Sequence, residues 1–201
     1  MTPAHPLPPE TDRPGAAVPG PPLPLLPGPW SARTARADGP DLDLVHGWMR
    51  APHVDAFWHQ AWTRERWHEE IAGHLGGVAV RPVLIGLDGE PLAYVEVYRV
   101  LRDRLTEHYA YHPRDLGVHI AIGEEARTGK GLGRTLLRSL AEGLLAADPA
   151  CPRVVAEPDA ANTASLRAFG AAGYRRIREI TLPEKTAVLL CRPRREEDLP
   201  R

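Results

Sequence analysis

In residues 41–75 the apolar side chains Leu44, Val45, Trp48 and Met49, then Phe57, Trp58, Ala61 and Trp62, recur three or four positions apart. That spacing puts them on one face of a helix. Pro52 divides the run, because it offers no N–H and restricts the residue before it, and residues 64–75 continue as a third helical piece. Past Gly76 and Gly77 the period falls to two. Residues 83–87 and 92–100 read as strands joined by Asp88, Gly89, Glu90 and Pro91, and an Asp-Gly pair accepts the backbone angles of a tight antiparallel hairpin. Residues 116–122 form a third strand, with Val118, Ile120 and Ile122 on one face, His119 and Ala121 on the other, and Gly123 at its end.

Helical periodicity returns after Gly131: Leu132, Leu136, Leu137, Leu140, Leu144 and Leu145 share a face about four turns long that ends at Asp148 and Pro149. Residues 153–157 are a short strand. Asn162 caps a helix over residues 162–172, which Gly173 closes. Residues 180–182 and 186–191 supply a last hairpin. No internal repeat is present.

Composition refines this picture at the ends of the chain. Eleven of the 22 prolines fall between Pro3 and Pro29, in a stretch nearly free of aromatic and β-branched residues. Residues 1–29 therefore read as a disordered or extended proline-rich tail, one use of which is as a polyproline ligand for a partner domain. Residues 30–193 form one catalytic domain, and residues 194–201 a charged tail. Lys and Arg total 25 against 26 Asp and Glu, so the net charge of -1 argues against nucleic acid and anionic membranes as partners. Cys151 and Cys191 have no metal-ligand spacing around them and make no disulfide framework, so no metal is expected. With no signal-like segment and no apolar run long enough to span a bilayer, a cytoplasmic protein is expected.

Chemistry concentrates between the third strand and the helix that follows. Gly129, Lys130, Gly131, Leu132, Gly133 and Arg134 make a glycine-dense loop whose backbone N–H groups can approach a pyrophosphate, with the helix N-terminus and two cations beside it. The spacing is not that of the Walker loop, which needs four residues before Gly-Lys-Ser/Thr. Nor is it that of the dinucleotide fingerprint, which needs two residues between its later glycines. His119 lies near the loop end of its strand, where an imidazole can relay a proton at neutral pH, and Asp159 follows Pro158 at the end of the next strand. A carboxylate held against the histidine would fix its tautomer and raise its basicity.

From about residue 41 to 191, this loop after its strand, together with Asn162, Ser165, Gly173 and Tyr174, resembles the GNAT N-acetyltransferase superfamily. The resemblance implies an α/β (α+β) GNAT fold, a mixed, mostly antiparallel central sheet flanked by helices. It also implies acetyl-CoA or another acyl-CoA as co-substrate, held by Gly129, Lys130, Gly131, Leu132, Gly133 and Arg134 at the pyrophosphate and by Ile120, Ala121, Ile122 and Asn162 along the pantetheine arm. Two departures stand out. Thr128 replaces the Arg or Gln that usually opens the loop signature, with Arg127 one residue early, and Phe169 stands where many relatives carry a tyrosine that protonates the departing thiolate.

The run from Asp115 to Glu124, with Asp159, Asn162, Trp48, Met49, Pro52, Phe57, Trp58, Glu90, Pro91, Glu96 and Tyr98, is similar to the siderophore branch of that superfamily. Those enzymes acylate the side-chain amine or hydroxylamine of lysine- or ornithine-type acceptors. The resemblance implies His119 and Asp159 as the catalytic pair. Trp58, Glu96 and Tyr98 are candidates for the acceptor pocket, Glu96 to meet an ammonium group and Trp58 to pack an aliphatic stem. An aminoglycoside 6'-N-acetyltransferase shares the loop but should favour an acidic cleft. A non-catalytic acyl-CoA sensor or interaction module is the reading that Phe169 keeps open.

Overall fold

The structure, a computed structural model, describes residues 18–200. Strand β1 is Trp30–Thr34, followed by helices α1 (Gly39–Met49), α2 (Pro52–Trp58) and α3 (Arg64–Gly76). Strands β2 (Val80–Leu87), β3 (Glu90–Arg99) and β4 (Leu116–Ile122) lead into α4 (Leu132–Ala147), β5 (Arg153–Ala156), α5 (Thr163–Ala171), β6 (Arg175–Leu182) and β7 (Lys185–Pro193). The seven strands form one sheet in the order β1-β2-β3-β4-β5-β7-β6, antiparallel except where β4 runs beside β5. The expected GNAT-type mixed sheet with flanking helices is therefore present.

Alternation along the strands assigns each sheet face its helices. Leu116 and Val118, with Val95 and Val97, pack on one face against Leu136, Leu137 and Leu140 of α4 and Phe169 of α5. Tyr94 and Ala121 face the other way, onto Leu42 and Val45 of α1 and Trp67 and Ile71 of α3. The three helical pieces, the Asp88-Gly89 hairpin and the opposition of His119 to Val118 agree with the sequence pattern. Strand β1 escaped it, because Trp30–Thr34 is an edge strand with one buried residue, and so did most of β6, whose first five residues turn largely to solvent.

The parallel pair β4 and β5 is a fork. Only Leu116 with Val154 and Gly117 with Val155 are paired, and a buried hydrogen-bonded ion pair, Arg153 Nε to Asp115 Oδ1 at 2.8 Å, clamps the closed end. Beyond Gly117 the strands part. Since Gly123 N–H donates to Leu92 of β3 and backbone groups alternate sides along a strand, Ile120 and Ile122 turn theirs into the opening. Ala121, also expected among the coenzyme contacts, turns its backbone to β3 but lines the same opening.

Within the proline-rich stretch, residues 1–17 lie outside the described residues. Val18 to Pro29 takes no regular secondary structure, but it is laid on the domain rather than free. Arg99 Nε donates to Pro19 O at 2.9 Å, Arg81 Nε to Pro21 O at 2.7 Å, and Leu25 N to Gly143 O at 3.1 Å. Arg99 is 1 % exposed and also meets Asp148 at 2.7 Å. The charged C-terminal segment is anchored as well, by Arg194 on the carbonyls of Leu145, Cys151 and Asp148. No described helix is long and apolar enough to cross a membrane.

Candidate active site

The fork opens onto a cleft of about 1010 Å³ bounded by α2, the ends of β4 and β5, the loop before α4, and α5. At one wall, Gly129 (φ 71°) and Gly131 (φ 81°) take left-handed angles with open space where a Cβ would stand, and Gly131 precedes α4 with no side-chain cap. First-turn N–H groups of the 16-residue α4 thus remain available to an anion. A Cβ added at Gly133 would stand 3.6 Å from Ile122 Cδ1, so α4 packs against the end of β4 here. This glycine cradle beside an uncapped helix start fits a pyrophosphate. Arg134, Thr128 and Asn162 line the cleft, and the Asn162 side chain also caps α5 by accepting from Ser165 N at 3.0 Å. Lys130 and Leu132 do not line it. Lys130 is exposed and Leu132 packs at the core margin. Arg127 reaches instead to Pro91 O.

His119 projects from β4 into the other side of the cleft, its side chain 37 % exposed. The register that pairs 116 with 154 and 117 with 155 extrapolates to 119 beside 157, and the histidine meets Glu157 there. Nε2 donates to Glu157 Oε1 at 2.5 Å and Nδ1 to Glu96 Oε2 at 3.2 Å. Glu157 also accepts from Tyr98 O–H at 2.8 Å, and Glu96 lies 3.4 Å from His74 Nε2. His74 in turn lies 3.5 Å from Glu70, so acids and bases alternate from the α3 surface to Glu157.

Burial alone would lower the His119 pKa, but the charge and hydrogen bonds of Glu157 and Glu96 outweigh it and hold it up at about 10. Burial would raise both glutamates, and here the charge and hydrogen bonds of His119 prevail, aided by His74 at Glu96, so each sits at about 2. At neutral pH the cluster is an imidazolium between two carboxylates.

The structure does not pair His119 with Asp159 as expected. Asp159 lines the same cleft, but its Oδ1 accepts from Ala161 N at 2.7 Å, and Glu157 occupies the place beside the imidazole. Trp58 lines the cleft, donates Nε1–H to Ile120 O at 3.4 Å, and meets the His119 ring edge-on at 6.2 Å. Glu96 lines it too, with its charge already met by two histidines. Tyr98, expected in the acceptor pocket, lies outside the cleft lining and is 3 % exposed. Its ring crosses β4 at Gly117, where a Cβ would stand 2.0 Å from Tyr98 Cζ. Tyr98 supports Glu157 from beneath. Glu157, His74, Arg104 and Lys185 were missed by the sequence reading. Glu157 alone had a local signal, an acid ending the apolar run Val154, Val155, Ala156.

No group of three or more His, Cys, Asp or Glu among the described residues is arranged to hold a metal. Cys151 and Cys191 are free, buried and far from nucleophilic, since burial pushes both thiols up to about 12.

Comparison with known proteins agrees with this geometry. A family model of the acetyltransferase (GNAT) domain matches residues 38–182. The chain is 36 % identical over 164 residues to lysine N-acyltransferase MbtK of Mycolicibacterium paratuberculosis, covering 82 % of this chain and 73 % of that protein. It is 31 % identical over 154 residues to the N(6)-hydroxylysine O-acetyltransferase of Escherichia coli, covering 77 % of this chain and 49 % of that one. Among solved structures, the aminoglycoside acetyltransferase AAC(6')-Ib in complex with coenzyme A superposes with a TM-score of 0.75 at 27 % identity, over 82 % of this chain and 95 % of the other. Fold, glycine cradle and matched sequence together make this chain a member of the GNAT acetyltransferase family, an acyl-CoA-dependent N-acyltransferase.

Proposed function

We propose that the protein transfers an acetyl or other acyl group from coenzyme A to the side-chain amine or hydroxylamine of a lysine- or ornithine-type acceptor, in the assembly of a hydroxamate siderophore. The observation that carries this reading is the His119 cluster opposite the glycine cradle in one cleft. The similarity to a lysine N-acyltransferase and a hydroxylysine acetyltransferase supports the acceptor class.

The thioester supplies the electrophilic carbonyl. Acceptor nitrogen attacks it directly, forming the N–C bond as the C–S bond breaks, and an N–H of Ile120 or Ile122 facing the fork stabilises the developing oxyanion. Neither buried cysteine is suited to carry the acyl group. A hydroxylamine nitrogen is neutral at physiological pH, so the group that takes its proton acts after attack and need not be strongly basic. Because His119 already holds a proton, we assign that step to Asp159, whose second carboxylate oxygen accepts no hydrogen bond among the described residues. His119, with both N–H groups held by Glu157 and Glu96, then supplies a fixed positive charge beside the departing thiolate, which takes its proton from solvent because Phe169 has no hydroxyl to give one.

Charge argues against a polycationic acceptor. Glu96, Glu157, Asp159 and Glu184 line the cleft, but so do Arg104, Arg134, Arg167 and Lys185, four of each sign before His119 is counted. The test is thiol release from acetyl-CoA with N-hydroxylysine, N-hydroxyornithine, lysine and kanamycin as acceptors. The hydroxylamines should give the highest kcat/KM, and a preference for kanamycin would overturn the reading.

A further inference from the structure

Two cations beside the His119 cluster have no role in the chemistry above. Arg104 stands on the 3-10 turn after β3, and Lys185 opens β7, just past the β6–β7 turn; both line the cleft. Lys185 Nζ donates to the backbone oxygen of Glu157 at 2.8 Å, and among the described residues no carboxylate lies within ion-pair distance of it. The ammonium thus hangs from the same residue whose side chain holds His119, half withdrawn from water, with its charge felt by Glu157 and Glu184 but closed into no ion pair among the described residues. Arg104 is held by Glu184, the residue before Lys185, in a two-pronged pair whose side chains are 46 % and 45 % exposed. Both partners are exposed, so an entering anion can compete with Glu184 for the guanidinium.

We propose that Lys185, with Arg104 released from Glu184, forms a carboxylate-binding site, so that one of the two substrates carries a carboxylate a short chain away from the reacting atoms. The inference rests on the acyl-transfer reading above. A single negative charge suits the place better than a phosphate, because Glu157 and Glu184 lie close enough to feel the Lys185 charge and Asp159 lines the same cleft. The carboxylate has two chemical sources: the α-carboxylate of an amino-acid acceptor, or the far end of a dicarboxylic acyl group.

The enzyme is assayed with acetyl-CoA and with succinyl-CoA, each against N-hydroxylysine and against its decarboxylated counterpart N-hydroxycadaverine. One carboxylate-bearing partner should be preferred about ten-fold or more in kcat/KM, and which partner it is identifies the source. Lys185→Gln should lower kcat/KM for the preferred pair about ten-fold more than for the pair without a carboxylate. Arg104→Gln should act in the same direction, and Lys185→Arg should keep most of the preference. Equal use of all four pairs by the wild type, or an equal loss on all four in Lys185→Gln, would overturn the carboxylate site and leave the acyl-transfer reading standing. Turnover of none of these pairs, nor of lysine, would sink both.

Discussion

At the scale of single residues, His119 and its two glutamates decide how the protein responds to pH. His119 has its pKa raised from 6.5 to about 10, so the stability it contributes is complete below about 6.5 and is lost as pH climbs through about 10. Glu96 and Glu157 have theirs lowered from 4.5 to about 2, so their contribution is present above about 4.5 and is lost as pH falls toward 2. Tm should therefore plateau between roughly pH 4.5 and 6.5 as far as this cluster is concerned, and His119→Gln should flatten the alkaline decline. Glu157→Gln should cut kcat about 100-fold and move the alkaline limb of kcat to lower pH, because the histidine then loses its stronger partner. Asp159→Asn should also lower kcat, but without moving that limb. A Glu157→Gln enzyme with an unshifted limb would show that His119 is not the titrating group.

Glycines carry the argument at the scale of elements. Gly117→Ala would drive a methyl into the Tyr98 ring, and differential scanning calorimetry should find a loss of about 1–3 kcal/mol, with lower activity because Tyr98 supports Glu157. Gly131→Ala meets open space but must hold φ 81°, which costs about 1–2 kcal/mol; KM for acyl-CoA should rise about ten-fold. The loop and the alternation of β4 were legible because both are local: a glycine spacing, and a period of two that set His119 opposite Val118. Glu157 was not legible as the partner of His119. Its place depends on the parallel register of two strands 38 residues apart, which buried packing and the Arg153–Asp115 clamp fix and no short-range pattern announces. Asp159 lay two residues too far along the same strand end.

For the whole molecule, the arginines on the sheet and its flanks explain why residues 18–29 lie on the domain. Proline content predicted residues 1–29 as a tail, yet prolines keep their carbonyls as acceptors, and Arg81, Arg99 and Arg102 donate to those of Pro21, Pro19 and Val18. Arg99→Met should destabilise by about 3–5 kcal/mol, since it leaves Asp148 at 7 % side-chain exposure without its main partner, and urea unfolding measures it. The overall order of helices and strands was readable from periodicity; the docking of residues 18–29 and of Arg194 was not, because it rests on backbone acceptors that any sequence offers.

The fork between β4 and β5 leaves Ile120 and Ile122 with amide hydrogens that no strand covers. An extended ligand arm lying in the fork acts as the missing length of strand and shields those amides from solvent. In deuterated buffer, coenzyme A should slow exchange at Ile120 and Ile122 while leaving the already paired Ala121 almost unchanged, an every-other-residue footprint that a ligand bound elsewhere would not print.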